Sequence, residues 1–425
     1  MEESAGAARR VASNALNPFA AQVFTRLLML GYVVVQYRVL GARADGVLGS
    51  YFLAALVLMY ASTVSEWGLG TLLTRELARA RGLQGEAGGQ VRQLFTQTLA
   101  LRLAISLGLF VPVGLFILLY TTLFSWGEGG AWALLILTLS LLPGTFSGTV
   151  TAVLYAYERM TLPALVGIGT SALNVALGLG ALMLGWGVIG LAVAALVATC
   201  ATAVVFWWLL RRELPDAAGA LSLRGLRIER RVATGLLAAG WPLLLNGLLI
   251  GLFFRVDQFI VQPVLGDFAV ERYNAAYSYL NFVLLITPAV TLALFPRMSR
   301  HARDDLPRMS REYGFALKVL VCLSGLIVAM TVWFSPLLVT VVTGGKEGYL
   351  PESAIALQIL ILFLPFSFVN GVTQYVLIAL DRQRLITWAF ALTLVFNVAA
   401  NLALVPVLGI YGAAIVTVLS EVVLL

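Results

Sequence analysis

Apolar segments long enough to cross a lipid bilayer follow one another along almost the whole of this sequence. A transmembrane helix needs about 20 consecutive apolar residues, and twelve such segments are separated by short polar breaks. They cover residues 15–41, 47–73, 94–121, 130–156, 162–184, 187–210, 233–262, 273–296, 314–342, 354–379, 383–406 and 409–425. The sequence therefore predicts an all-α integral membrane protein with about 12 transmembrane helices.

Composition supports lipid as the main solvent. Charged residues make up 12% of the chain and hydrophobic residues 60%, whereas a soluble domain carries roughly 25% charged residues. Cys200 and Cys322 lie in apolar runs and are predicted to be small core residues, not a disulfide framework. The start "MEESAGAARR" lacks a following cleavage site and is not interpreted as a cleaved signal peptide. The twelfth span ends with the sequence, which leaves open whether the natural chain continues.

The distribution of basic residues predicts the orientation in the membrane. With the N-terminus in the cytoplasm, twenty arginines fall in inside loops, and the outside loops hold only Arg38, Arg43, Arg272 and Lys346. Cytoplasmic loops carry an excess of Lys and Arg, so both termini are predicted to be cytoplasmic. The net charge of +7 is then explained without a nucleic-acid partner.

Three pairs of similar segments indicate an internal duplication. The stretch "LLPGTFSGTVTAVLYAYER" (141–159) resembles "FLPFSFVNGVTQYVLIALDR" (363–382), "NVALGLGALMLGWGVIG" (174–190) resembles "NVAANLALVPVLGIYG" (397–412), and Arg75 aligns with Arg297. All share a separation of 222 or 223 residues. The repeat predicts two six-helix lobes, 1–212 and 232–425, related by a pseudo-two-fold axis along the membrane normal and joined by a cytoplasmic linker, 213–231.

Two longer stretches carry a resemblance to a known family. "YRVLGARADGVLGSYFLAALVLMYASTVSEWGLGTLLTRELAR" (37–79) and "FRVDQFIVQPVLGDFAVERYNAAYSYLNFVLLITPAVTLALFPRMSR" (254–300) resemble the openings of the two lobes of bacterial polysaccharide transporters. These transporters belong to the multidrug/oligosaccharidyl-lipid/polysaccharide exporter superfamily. The resemblance implies a flippase in the prokaryotic cytoplasmic membrane that carries polyprenyl-pyrophosphate-linked oligosaccharides, such as O-antigen or capsule repeat units. The related lipid II flippases usually have two further C-terminal helices, for which this sequence shows no room.

Charged residues inside apolar spans mark candidate functional positions, because they are costly at membrane depth. In "GLFFRVDQFIVQ" (251–262), Arg255 and Asp257 point to different sides of one predicted continuous helix. Arg26 lies midway along the first span, on a stripe with Tyr37. Arg26 and Arg255 are predicted to face one cavity and to bind the pyrophosphate, because an arginine fork pairs with phosphate oxygens.

The other candidates have two interpretations each. Tyr37, Asn281 and Gln374 are predicted substrate contacts, the two amides through sugar hydroxyls, although such side chains also join helices. Asp257 and Glu66 are predicted to bind a coupling proton or sodium ion. Alternatively, these carboxylates pair with the arginines and hold helices together.

The sequence allows two functions other than a flippase. A multidrug exporter of the same superfamily is the alternative, but drug cations need acidic groups and the first span offers Arg26. A membrane enzyme acting on lipid-linked sugars is disfavoured, because the outside loops are short and the sole histidine, His301, falls on the cytoplasmic side. We expect no cofactor and no metal site. The expected partners are the lipid-linked oligosaccharide and membrane lipids, with the protein acting as a monomer.

Overall fold

The computed structural model describes residues 2–41, 46–81, 87–213, 229–286 and 305–425, with backbone only for 2–19, 80–81, 87–92 and 213. Every secondary-structure element in these ranges is a helix. Within the described residues, nine helical stretches are long and apolar enough to cross a membrane, some of them made of two successive helices, and a bent pair of helices, 128–139 with 141–156, forms a further candidate span. The predicted all-α membrane fold is confirmed.

The chain separates into two compact units. The first comprises Met1–Tyr32, Ala54–Leu123 and Glu128–Leu248, and the second comprises Val33–Leu53, Phe124–Gly127 and Leu249–Leu425. Most of the predicted linker, 214–228, lies outside the described residues, and the lobe boundaries at 212 and 232 stay a prediction.

Nine helices precede residue 214 in the part of the chain that the structure describes. They are α1 (Glu2–Leu40), α2 (Val47–Glu66), α3 (Leu69–Arg81), α4 (Ala87–Gly108), α5 (Phe110–Leu123), α6 (Glu128–Leu139), α7 (Leu141–Ala156), α8 (Thr161–Met183) and α9 (Gly187–Glu213).

Eight α-helices follow the predicted linker within the described ranges, and a short 3₁₀ segment, Ile361–Phe363, joins two of them. The α-helices are α10 (Arg230–Arg255), α11 (Gln258–Leu265), α12 (Asp267–Val283), α13 (Leu306–Thr343), α14 (Glu352–Leu360), α15 (Leu364–Ala379), α16 (Gln383–Leu408) and α17 (Ile410–Leu424).

Several predicted spans are broken helices. The span predicted at 130–156 consists of α6 and α7, which meet at an angle of 41°. Pro143 has no N–H to donate to the carbonyl of Leu139, and Ser140 donates its N–H to Leu137 O in a tighter turn. The span predicted at 47–73 is likewise interrupted, at Trp67 and Gly68, which both have positive φ.

The predicted continuous helix at 233–262 is wrong at its C-terminal end. Helix α10 ends at Arg255, residues 256–257 form a turn, and α11 begins at Gln258. Asp257 Oδ1 accepts a hydrogen bond from the N–H of Gln258, which competes with the helical backbone pattern. Because α12 begins at Asp267, Arg272 lies in a helix instead of the predicted outside loop. The span predicted at 273–296 is described only to residue 286.

The local geometry of α7 and α15 matches the predicted duplication. Both helices have 16 residues and end in the same turn, in which Glu158 (φ 59°) and Asp381 (φ 57°) adopt the left-handed conformation. The following residues, Arg159 and Arg382, donate their N–H groups five residues back, at 2.9 and 2.8 Å. Residues 223 apart thus have the same unusual backbone conformation.

Glycines allow close helix approach at equivalent positions of the repeat. A Cβ added at Gly190 would lie 2.8 Å from Ala181 Cβ, and one at Gly412 would lie 2.6 Å from the carbonyl oxygen of Leu404. The prediction for the cysteines is wrong, since both are exposed. An apolar side chain in a membrane protein faces either lipid or the core, so hydropathy alone does not place it.

Candidate functional site

Arg255, the last residue of α10, is half-buried and lies against α12. Its Nη2 donates to Asn281 Oδ1 at 3.0 Å, and its Nη1 donates to Asn274 Oδ1 at 3.4 Å. The guanidinium carbon also lies 4.4 Å from the centre of the Tyr277 ring, within the range of a cation–π contact. The structure therefore brings together two predicted site residues, Arg255 and Asn281.

The amide groups around Arg255 hold one another in place. Gln258 and Asn274 exchange two hydrogen bonds, each of 3.2 Å, and Asn274 Nδ2 also donates to Val270 O at 3.0 Å. Asn274 Oδ1 consequently points to Arg255. Among the described residues no carboxylate forms an ion pair with Arg255. The guanidinium is oriented by neutral acceptors that do not themselves neutralise its charge.

Asp257 faces a different set of partners. Its carboxylate is buried and accepts a 2.5 Å hydrogen bond from the Tyr273 hydroxyl through Oδ2. The hydroxyls of Tyr273 and Tyr277 lie 3.4 and 3.5 Å from Thr417 Oγ1 on α17. Asp257 therefore connects α12 and the turn before α11 and is not ion-paired with Arg255, which removes the direct Arg255–Asp257 pair considered from the sequence.

Tyr37 lies inside the second unit. It is fully buried, its hydroxyl donates to Glu271 O at 2.9 Å, and its ring packs edge-on against Tyr349. Tyr349 in turn donates to the Glu271 carboxylate. The hydroxyl of Tyr37 is thus engaged in packing, and this geometry does not support its predicted contact with substrate.

None of the remaining candidates is among the described contacts of Arg255. Arg26, on α1, and Glu66, at the end of α2, are exposed residues of the first unit. Gln374 is half-buried on α15 in the second unit. The single cavity predicted for Arg26 and Arg255 stays a prediction, as do the roles of Glu66 and Gln374.

Sequence reasoning missed a buried carboxylate, Glu421 on α17. Asn370 Nδ2 donates to Glu421 Oε2 at 2.7 Å and to its carbonyl oxygen at 2.9 Å. The neighbouring Ser420 accepts a 2.9 Å hydrogen bond from Asn397. Glu421 lies in the twelfth apolar segment, and a carboxylate in an apolar segment is a sequence signal for a functional or structural polar contact.

Arg102 is a buried cation of the first unit. Its side chain is buried, and Nη1 donates to Thr149 Oγ1 at 3.1 Å. Gly148 leaves room for the guanidinium, since a Cβ there would lie 3.1 Å from Nη2. We find no group of three or more metal-ligating side chains in the described part of the chain.

Solved structures with this fold are membrane transporters. The lipid II flippase MurJ in an inward closed conformation aligns with a TM-score of 0.72 at 15% identity, covering 96% of this chain and 85% of that one. An inward-facing multidrug resistance MATE family transporter gives 0.68 at 17% identity, with 96% and 95% covered. A transporter of the same superfamily from Pyrococcus furiosus, described as having a binding pocket of reverse polarity, gives 0.66 at 16% identity, with 97% and 92% covered. At these identities the likeness shows the fold.

Sequence signatures identify the family. The signature described as "Polysaccharide biosynthesis protein" matches residues 11–302, and the signature "MatE" matches residues 242–403. No protein of curated function matches the chain. The larger match covers well over half of the sequence and includes the Arg255 cluster. The chain belongs to the polysaccharide biosynthesis protein family and is a transporter of the multidrug/oligosaccharidyl-lipid/polysaccharide exporter superfamily.

Proposed function

We propose that this chain is a flippase that moves polyprenyl-pyrophosphate-linked oligosaccharides across the prokaryotic cytoplasmic membrane by alternating access. The cargo class is that of O-antigen, capsule or exopolysaccharide repeat units. The observation that carries the proposal is Arg255, a cation within a membrane domain whose described partners are amide oxygens and an aromatic ring. Both termini are proposed to be cytoplasmic, and the functional unit is proposed to be a monomer.

The chemistry of the Arg255 cluster favours a phosphate ligand. A guanidinium has five N–H donors in a planar fork, and Asn274 and Asn281 accept from two of them. Neutral acceptors orient the fork but do not neutralise its charge, whose desolvation costs free energy. A phosphate group brings both the compensating charge and oxygens spaced for bidentate hydrogen bonds. The amide side chains around the fork also suit sugar hydroxyls next to that phosphate.

Multidrug export is the second candidate, because the MatE signature matches residues 242–403. A drug cation at this cluster would need an accessible carboxylate there, whereas Asp257 is buried and hydrogen-bonded to Tyr273, and the half-buried charge of the cluster is Arg255. The Arg255 cluster therefore favours an anionic cargo. We propose transport without catalysis, since the family and the solved structures of this fold are transporters.

Further residues are proposed to take part in the cycle. Arg26 and Gln374 are proposed substrate contacts, and Asn281 acts through its hydrogen bond to Arg255. Asp257 and Glu66 are proposed to couple transport to a proton or sodium gradient. No cofactor is proposed.

Binding of a polyprenyl pyrophosphate, measured against the same polyprenol without phosphate, tests the proposal. Loss of one charge-assisted contact costs about 1.5–3 kcal/mol, or roughly ten- to a hundred-fold in affinity. Arg255→Ala should lose that much preference for the pyrophosphate, and Arg255→Lys should recover only part of it because lysine lacks the planar fork. Arg26→Ala should weaken binding as well, with the double variant less than additive if both grip one phosphate group.

Arg384→Ala is the matched control, since Arg384 is an exposed arginine near the start of α16. It should keep the wild-type preference. If Arg255→Ala folds and still prefers the pyrophosphate as the wild type does, Arg255 is a structural residue and the proposed cargo loses its main support. Tight binding of drug cations by the wild type, with no binding of the pyrophosphate, would favour the multidrug exporter.

A further inference from the structure

An open pocket of about 550 Å³ lies where helices α1 and α13 end. Its lining residues are Arg38, Thr340, Val341, Gly344 and Lys346. All five belong to the second compact unit. The pocket is separate from the Arg255 cluster, with which it shares no residue, and it contains two of the four basic residues predicted on the outer side of the membrane.

The backbone of the pocket is shaped to hold Arg38. Gly344 follows the last residue of α13 and has a φ of 72°, a conformation that favours glycine. A Cβ at this position would lie 2.8 Å from Arg38 Cγ, so the absence of a side chain lets the arginine stem lie against the backbone. A residue with a side chain at 344 would displace Arg38.

Lys346 lines the same pocket as Arg38 and is held by a hydrogen bond. Its Nζ donates to Gly41 O at 2.8 Å, immediately after the end of α1. Arg38 is exposed and forms no ion pair with any residue that the structure describes. Glu347 is the next residue along the chain and is exposed. Cations also stabilise helix C-termini, so a purely structural role for Arg38 and Lys346 is the explanation to be tested against ligand binding.

An apolar stripe on α13 leads to the pocket. Trp333, Leu337 and Val341 are spaced by four residues and therefore share one helix face, with exposed fractions of 81%, 57% and 52%. The stripe is roughly 12 Å long at 1.5 Å per residue, and Val341 is itself part of the pocket lining. A ligand that fills both features has an anionic head and an apolar chain.

We propose that this pocket binds the phosphate headgroup of an anionic membrane phospholipid, whose acyl chain lies along Trp333, Leu337 and Val341. The phosphate accepts hydrogen bonds from Arg38 and Lys346. A bilayer phospholipid is favoured over the transported lipid because the stripe is exposed on a helix long enough to span a membrane, and phospholipids are far more concentrated there than the transported lipid. The proposal does not depend on the identity of the cargo.

Retention of lipids on the purified full-length chain, followed by native mass spectrometry, tests this site. The probes are phosphatidylglycerol, diacylglycerol without phosphate, and a polyprenyl pyrophosphate. Each basic residue near a membrane surface contributes about 1 kcal/mol to binding of anionic lipid, or about five-fold. Arg38→Gln and Lys346→Gln should each weaken phosphatidylglycerol binding about five-fold. Binding of diacylglycerol should not change.

Two further variants separate ligand binding from helix capping. Arg311→Gln, at the other end of α13 and exposed, is the matched control and should bind as the wild type does. Arg38→Lys should keep most of the binding, because a phosphate diester accepts from a point charge.

Three results would overturn the proposal. One is a wild-type chain that retains phosphatidylglycerol no better than diacylglycerol. Another is wild-type binding of phosphatidylglycerol by the folded variants Arg38→Gln and Lys346→Gln. If their melting temperatures fall at the same time, the two cations act in helix capping alone. The third is displacement of phosphatidylglycerol from this pocket by an equal concentration of polyprenyl pyrophosphate, which would make it a cargo site.

Discussion

Replacing Asp257 by asparagine tests the buried hydrogen bond that joins the turn before α11 to α12. In the structure one carboxylate oxygen accepts from the Tyr273 hydroxyl at 2.5 Å and the other accepts from the Gln258 N–H at 2.9 Å. Both oxygens thus act as acceptors. An asparagine has one oxygen and one NH₂ group. In either orientation its NH₂ group therefore faces a donor, either the Gln258 N–H or the Tyr273 hydroxyl, and only the hydroxyl can turn to accept.

The expected magnitude follows from the type of bond. A hydrogen bond to a charged group contributes about 1.5–3 kcal/mol, and Asp257→Asn should lower the free energy of unfolding by about that amount. Tyr273→Phe removes the same bond from the other side and keeps the carboxylate. The double variant should show a coupling energy of about 0.5–3 kcal/mol in a double-mutant cycle, because both single variants remove one contact.

The variants Asp257→Asn and Tyr273→Phe also distinguish a structural role of Asp257 from a role in ion coupling. Denaturant unfolding of the purified protein in mixed micelles gives the stability, and cargo uptake into proteoliposomes under an imposed proton or sodium gradient gives the coupling. If Asp257 binds the coupling ion, Asp257→Asn loses the response to the gradient while Tyr273→Phe, of similar stability, keeps it. A gradient response retained in both variants restricts Asp257 to a structural role. If neither variant changes stability, the bond seen here contributes nothing and the reasoning about this turn fails.

The other predictions concern topology and helix packing. Single cysteines are introduced at Gly129 and at Gly219 in a cysteine-free background, and whole cells are treated with an impermeant thiol reagent. The reagent should label the cysteine at Gly129 and not the one at Gly219. The opposite result would reverse the predicted orientation. Gly412→Ala should destabilise the protein by about 1–3 kcal/mol, because the new Cβ meets backbone atoms of Leu404 that cannot rotate away. Gly180→Ala, with nothing within 4 Å of the added Cβ, is its control in the same thermal unfolding measurement and should be neutral or slightly stabilising.

The fold class could be predicted from the sequence because bilayer thickness sets the length of an apolar span. The duplication could be predicted as well, because the segments that repeat in sequence also repeat in backbone conformation. Glu158 and Asp381, 223 residues apart, are both left-handed. The helix breaks could not be predicted from hydropathy, since a turn at Val256–Asp257 leaves the apolar pattern almost unchanged. The break after Arg255 is accompanied by a local hydrogen bond from the Gln258 N–H to the side chain of Asp257, whereas the break before α7 is accompanied by Pro143, which has no N–H to donate.

The candidate site was predicted in part. Arg255 and Asn281 were selected as polar side chains at membrane depth, and they are in contact. Helical spacing relative to Arg26 predicts that Tyr37 contacts the substrate. Spacing along a helix, however, does not determine which neighbouring element a side chain packs against. Glu421 was overlooked, although a carboxylate within an apolar segment is the same signal that identified Asp257. Pairings between distant segments, such as Asn370 with Glu421, need the tertiary structure.

The amide partners of Arg255 have a consequence for the conditions under which the site works. Asparagine and glutamine side chains carry no charge and do not titrate. A carboxylate partner would compete with the ligand for the guanidinium and would release it on acidification, whereas Asn274 and Asn281 do neither. Capture of an anion by this cluster therefore needs no carboxylate to be displaced from Arg255, and it should weaken with rising ionic strength.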